Sequence, residues 1–130
     1  MVFTWTDIEF SISEAEDENE SLPEFDMNLF DNLLQSYSQS MSLDLSNLDL
    51  SGNDLTDRDL SRVDFSGTNL SGVNFSGSTL SESLFYGSDL TEANFSNTNM
   101  SNVVISDGLG PNIIINSNFT NANLEGAYGL

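Results

Sequence analysis

Twenty-one carboxylates and two guanidiniums are the only charged side chains in this chain of 130 residues. The guanidiniums are Arg58 and Arg62, and lysine, histidine and cysteine are absent. These absences remove disulfides, thiolate and imidazole metal ligands, imidazole acid–base catalysis and lysine Schiff bases. A net charge of −19 also disfavours direct contact with nucleic acid, whose phosphates are neutralised by Lys and Arg. What remains is carboxylate chemistry. Paired carboxylates hydrolyse glycosides when a pocket fixes their separation, and they bind Ca2+ when a loop spaces them around a turn glycine. The densest run, EAEDENE at residues 14–20, has no such glycine, and nothing in the pattern marks a pocket. The expectation is a protein that is not an enzyme, has no metal or cofactor, and meets a positively charged partner.

The acids are unevenly placed. Ten lie in residues 1–40: Asp7, Glu9, Glu14, Glu16, Asp17, Glu18, Glu20, Glu24, Asp26 and Asp31. Six follow at Asp44, Asp49, Asp54, Asp57, Asp59 and Asp64, and five lie beyond, at Glu82, Asp89, Glu92, Asp107 and Glu125. An acidic run can simply be a solvated loop that aids solubility. It can also imitate duplex DNA, which carries one charge per roughly 1.7 Å of axis, if a rigid frame holds many carboxylates with few bases nearby. The candidate partner-binding set is the ten N-terminal acids with Asp44 and Asp64 on the adjoining wall.

The frame is legible as a rhythm. From Leu45 a large apolar residue recurs every fifth position through Leu50, Leu55, Leu60, Phe65, Leu70, Phe75, Leu80, Phe85, Leu90, Phe95 and Met100 to Ile105, thirteen times without a miss. Ser or Thr follows it in every copy except the one with Tyr86. So short a period predicts a solenoid, in which each unit buries its face only by stacking on the next. Alternation in a short extended segment sends the large residue and the one two before it inward. The Gly, Asn and Asp that follow suit a turn, because they tolerate left-handed backbone. Arg58 occupies an inward position and is expected to turn outward and pair with a carboxylate, since a buried unpaired charge is costly.

The rhythm breaks at Asp107-Gly108-Leu109-Gly110-Pro111 and resumes one residue out of frame at Ile114, Phe119 and Leu124. A bulged corner or short loop is expected there. Upstream, Val2 to Ile12 alternate as a strand, residues 13–22 read as a charged loop, and residues 23–38 read as a helix. Pro23 suits its first position after a Ser21 cap, and Phe25, Leu29, Phe30, Leu33, Leu34 and Tyr37 form its apolar face. An open solenoid end exposes core and strand edge. Residues 1–42 are therefore expected to cap a repeat domain spanning 43–130.

The repeat, almost to the letter in SDLTEANFSN at residues 88–97, resembles the pentapeptide-repeat family, with its consensus Ala-(Asp/Asn)-Leu-x-x. The match runs over residues 43–107 in one frame. The resemblance implies a mainly β fold: a right-handed quadrilateral β-helix, here with a small N-terminal α/β cap. With four pentapeptides to a coil, residues twenty apart stack at about 4.8 Å. Phe65 would then lie over Phe85 and Phe75 over Phe95. It also implies that the repeat aspartates are architecture, since the consensus itself asks for Asp or Asn. Some family members resemble B-form DNA in shape and charge; one group protects DNA gyrase, and others are anti-CRISPR proteins of phage. The gyrase-binding members are typically longer rods that dimerise through a C-terminal helical module. This sequence closes on AYGL without one, which favours a compact inhibitor of the basic DNA or PAM-reading groove of a CRISPR effector. DNA gyrase is the runner-up target, and a solenoid whose acidity serves only solubility is the third reading. No membrane span or signal peptide is visible, so a bacterial host cytoplasm is expected, with a phage or other mobile element as the expected carrier of the gene. A monomer is favoured over a homodimer, with Leu124, Tyr128 and Leu130 either covering the last coil or pairing with a second copy.

Overall fold

A computed structural model describes residues 2–4, 28, 30–32, 42–106 and 112–130. The chain divides into two compact units, Met1–Asp44 and Leu45–Leu130. In the first unit, strand β1 (Val2–Thr4) pairs in parallel with β2 (Ser42–Asp44), with Val2 opposite Ser42 and Thr4 opposite Asp44. Residues 28 and 30–32 are helical, and Phe30 is wholly buried. The rest of the expected N-terminal strand, the acidic loop and most of the expected helix lie outside the described residues.

Among the described residues of the second unit no extended run is longer than a few residues, because each five-residue phrase turns before a strand can grow. Pairing is instead made by single parallel bridges between residues twenty apart. Four ladders result: Asp49–Asn69–Asp89, Asp54–Asn74–Asn94, Asp59–Thr79–Asn99 and Asp64–Leu84–Val104. Each bridge uses backbone bonds of ordinary length, such as Phe65 N–H to the Leu84 carbonyl at 2.8 Å and Asn69 N–H to the Leu48 carbonyl at 2.8 Å. This is a β-helix-like solenoid, one coil per twenty residues.

The corners follow from the same repeat. Thr68 N–H donates to the Phe65 carbonyl at 3.1 Å, closing a turn around Ser66 and Gly67. Gly67 has φ +66, and a Cβ there would run into the Asn47 side-chain oxygen. Corner residues of less permissive types take the same conformation, with φ of 63 at Arg62, 62 at Glu82 and 57 at Glu92. Coil stacking therefore sets the turn, and it overrides the residue preference that normally keeps φ negative.

Inside, all thirteen large residues from Leu45 to Ile105 are at most 1% exposed. The phenylalanines stack along two columns. Phe65 and Phe85 rings lie 5.2 Å apart at 15°, Phe75 and Phe95 5.1 Å apart at 9°, and Phe95 and Phe119 5.0 Å apart at 8°. The columns meet edge to face, as between Phe85 and Phe95 at 6.0 Å and 89°. Such offset and T-shaped geometry is favoured by the ring quadrupole.

Two residues before the large position, small polar side chains are buried as well. Thr68, Ser78, Ser83 and Ser88 donate their hydroxyls to the carbonyls of Leu45, Leu55, Leu60 and Phe65, twenty-three residues earlier, at 2.7, 2.5, 2.8 and 2.7 Å. No buried side-chain polar atom among the described residues lacks a partner. Arg58, at one such position, is half-buried and its guanidinium donates outward to the carbonyls of Asp54 and Thr56 at 3.0 and 3.1 Å.

Past Ile105 the ladder offset changes from twenty to twenty-four: Asp89 bridges Ile113, Asn94 bridges Asn118, Asn99 bridges Asn123 and Val104 bridges Tyr128. The break thus holds four residues beyond the period, which is why the rhythm returns one place out of frame. Residues 107–111 themselves lie outside the described residues. Asn112, just past the gap, bonds back to two residues that precede it: its Oδ1 accepts Gly87 N–H at 2.7 Å, and its Nδ2 donates to the Ile105 carbonyl.

Candidate acidic interface

Of the acids singled out by sequence, Asp31 is half-buried on the helical residues of the first unit, and Asp44 is half-buried on β2. Asp64 is half-buried on its ladder in the second unit. Asp7, Glu9, Glu14, Glu16, Asp17, Glu18, Glu20, Glu24 and Asp26 lie outside the described residues.

The ladder position shows what a carboxylate does in this frame. Asp64 Oδ1 accepts the backbone N–H of Ser66 at 2.9 Å. Asp49, Asp54, Asp59 and Asp89 do the same for Ser51, Thr56, Ser61 and Thr91 at 3.0, 3.0, 3.1 and 2.9 Å. Asparagine serves equally: Asn69, Asn74, Asn94 and Asn99 accept from Ser71, Ser76, Ser96 and Ser101 at 3.1, 3.1, 3.0 and 3.2 Å. These are side-chain-closed turns of the kind Asp and Asn share. The position asks for an acceptor, not a charge, and Leu84, Val104 and Ile113 occupy it with neither.

Counted by coil, the charge is concentrated. The first coil carries Asp49, Asp54, Asp59 and Asp64 on its four ladders, and the second carries Asn69, Asn74, Thr79 and Leu84. The third carries Asp89, Asn94, Asn99 and Val104, and the last Ile113, Asn118, Asn123 and Tyr128. Asp57 adds a further exposed carboxylate at a first-coil corner. Arg62, on the next corner, pairs with Glu82 of the coil beyond at 3.4 Å. Sequence reading assigned the repeat aspartates to the scaffold through the consensus, and kept only Asp44 and Asp64 among them as candidates. It missed that Asp49, Asp54, Asp59 and Asp64 together ring one coil, a signal that appears only when the chain is counted in twenties.

Hydrogen bonding holds several of these groups ionised. The Asp49 carboxyl is lowered below the usual carboxylate range by the Ser51 hydroxyl and then its backbone N–H. Asp54 is lowered by the Thr56 N–H and then its hydroxyl, and Asp89 by the Thr91 hydroxyl and then its N–H. Among the described residues no group of three or more Asp or Glu side chains is gathered as a metal cage. Nor is any described helix long and apolar enough to cross a membrane.

A stack of single-bridge coils with Asx-closed corners and a packed interior defines a β-helical repeat protein that offers a rigid surface. The profile of the pentapeptide repeats matches residues 43–72 and 68–107 in eight copies, half of the chain, and the chain belongs to that family. Among solved structures it is similar to the pentapeptide repeat protein Rfr23 from the cyanobacterium Cyanothece 51142. Identity there is 24%, coverage is 68% of this chain and 58% of that one, and the TM-score is 0.60, a likeness of fold. HetL, a pentapeptide repeat protein involved in heterocyst differentiation regulation in Nostoc sp. PCC 7120, matches at 19% identity with a TM-score of 0.33. That match covers 67% of this chain and 52% of HetL. The chain therefore spans little more than half the length of either protein. No curated protein matches it in sequence. Pentapeptide repeat proteins are in general structural or interaction proteins rather than enzymes.

Proposed function

We propose that this chain is a DNA-mimic inhibitor, built as a right-handed quadrilateral β-helix with residues 1–42 as its acidic cap. Its target is the basic DNA-binding groove of a CRISPR effector complex in a bacterial cytoplasm. The cap acids named above would imitate duplex phosphates together with Asp44 and Asp64. One observation carries the reading. The first coil places Asp at all four turn positions, although the same turns close on Asn elsewhere in the same frame. The charge exceeds what the fold requires, and a steering field for a basic cleft is a physical use for such an excess.

The test is competition. The purified chain should displace a PAM-bearing duplex from the effector, with affinity falling as salt rises, because charge steering is screened beyond about 8–10 Å near physiological ionic strength. The variant carrying Glu16→Lys, Asp17→Lys and Glu18→Lys should inhibit at least tenfold less well. Unchanged inhibition by that variant would remove the cap from the mechanism, and binding that leaves the duplex in place would remove mimicry altogether. A supercoiling assay with DNA gyrase separates the two targets: inhibition there with none of the effector would make gyrase the partner.

A further inference from the structure

We propose that one side of the repeat unit, carrying Leu84, Tyr86 and Val104, docks a basic amphipathic helix of a partner protein. The inference does not rest on the DNA-mimic reading, which uses the acids of the cap. It starts from where the repeat departs from its own rule. In the second and third coils three of the four ladders carry polar pairs: Asn69 with Asp89, Asn74 with Asn94, and Thr79 with Asn99. The fourth ladder runs Asp64, Leu84, Val104, Tyr128. Tyr86, the in-frame exception to the Ser or Thr that follows each large residue, lies on this side too, two places after Leu84. Leu84 and Val104 cannot make the turn-closing bond that Asp64 Oδ1 makes to Ser66 N–H, so the corner loses a bond by the apolar choice. Leu84, Tyr86 and Val104 are half-buried, as the polar Asp89 and Asn94 are, and Tyr128 continues the row at 64% exposure. An aligned apolar row facing outward is a surface suited to a partner.

The backbone of this side decides the mode of docking. The N–H groups of Leu84, Val104 and Tyr128 donate to the carbonyls of Val63, Ser83 and Val103 at 3.0, 3.0 and 2.9 Å. Their own carbonyls accept from Phe65, Phe85 and Ile105, each at 2.8 Å. Both backbone groups of every row are used within the stack, so a partner strand has nothing to pair with. Recognition falls to side chains. Rows along the ladder are about 4.8 Å apart. A helix laid along the coil axis presents one face every turn, about 5.4 Å, and drifts by only about 2 Å over the four rows. An extended segment repeats its face every 6.6 Å or so and loses a whole row over the same length.

Charge selects the occupant. The row opens on Asp64, and past Arg62 the chain has no basic residue. Arg62 itself pairs with Glu82 at 3.4 Å. A chain of net charge −19 repels an acidic helix and a second copy of itself, and draws a basic one. The complementary helix therefore carries Arg or Lys opposite Asp64. Apolar residues follow one and two turns on, opposite Leu84 and Val104, and a third meets Tyr128. This is the helix-on-groove mode, read as anchors at successive turns, with the ion pair fixing which way the helix runs.

Fluorescence anisotropy with labelled synthetic peptides and the full chain tests this. The probe is an alanine-based peptide of about 18 residues, long enough to be helical alone, with Arg at one position and Leu four, seven and eleven places later. It should bind, and a scramble that spreads the same residues round the helix should bind at least tenfold more weakly. Leu84→Asn, Tyr86→Ser and Val104→Asn together install residues that the other ladders already use, so the coils should form with an unchanged circular dichroism spectrum. That variant should lose at least tenfold in affinity, the scale for removing apolar anchors. Asp64→Asn keeps the turn acceptor and should lose a few-fold, the scale of an exposed ion pair. No binding of the ordered peptide at millimolar concentration, equal binding of the scramble, or full binding by either variant would overturn the proposal. So would capture of the wild type by neutral phosphatidylcholine vesicles that fails in the triple variant, which would make the occupant a lipid surface. The two readings fail separately: the triple variant should still compete with DNA, and the Glu16→Lys, Asp17→Lys, Glu18→Lys chain should still bind the peptide.

Discussion

Asp and Asn at one geometry, in one frame, give a controlled comparison inside a single molecule. Asp54 and Asn74 sit on the same ladder, each closing its turn through Oδ1 at 3.0 and 3.1 Å. What differs is the ability to lose charge. The carboxyls of Asp49, Asp54 and Asp89 are lowered by hydrogen bonds that exist only in the folded chain. A group depressed on folding binds its proton more readily when unfolded. Its contribution is therefore present above the unfolded value, near 3.9 for Asp, and is lost as pH falls through the folded value. The triple variant Asp49→Asn, Asp54→Asn, Asp89→Asn keeps each acceptor and cannot titrate. Its Tm at pH 7 should match wild type within a few degrees. Below about pH 4 wild type should lose Tm relative to the variant, as the linkage relation requires. Thermal melts from pH 7 to pH 3 check this, and a difference that does not change with pH would contradict it.

At the scale of the coil, the break shows how a solenoid absorbs an insertion. Gly67 N–H donates to the Tyr86 carbonyl at 2.7 Å, a corner-to-corner bond between coils. One coil later, Gly87 N–H goes instead to the side chain of Asn112. The amide thus stands in for a backbone group and also reaches the Ile105 carbonyl. Asn112→Ala removes both bonds and should cost about 1–3 kcal/mol, the range for a lost hydrogen bond that strands a partly buried partner. Hydrogen exchange should show Gly87 losing protection while Phe85, bonded to Val104, keeps it. Of this coil structure the apolar rhythm was fully legible, because a large residue every five positions has one packing solution. The size of the insertion was not, since a frame shift of one place does not say how many residues loop out. The burial of Ser83 followed from its inward place two before Phe85, but the partner of its hydroxyl, the Leu60 carbonyl twenty-three residues earlier, did not. Left-handed Arg62 and Glu82 were hidden by their own propensities. The candidate site was legible as a charge imbalance. Its arrangement as a ring needed the coil length, and most of its N-terminal members lie outside the described residues.

The repeat unit as a whole behaves as a stack in which stability is close to a sum over neighbouring coils. Coils in the middle are covered on both faces; the last is covered on one. Phe85 stacks on Phe65 and meets Phe75 and Phe95 edge on, whereas Phe119 stacks on Phe95 alone. The same truncation should therefore read out differently by position. Phe85→Ala opens a cavity at the centre and should cost about 3–5 kcal/mol, lowering protection across residues 45–106 together. Phe119 is already half-buried, so its neighbours and solvent can fill the space, and Phe119→Ala should cost roughly half as much on the same scale. Its loss should be confined to residues 112–130, because Phe119 stacks on Phe95 at one face only among the described residues. Hydrogen exchange with denaturant melts distinguishes the two. Equal, global losses for both variants would mean that the stack melts as one cooperative body. A loss restricted to the last coil for Phe119→Ala would show that the end frays independently.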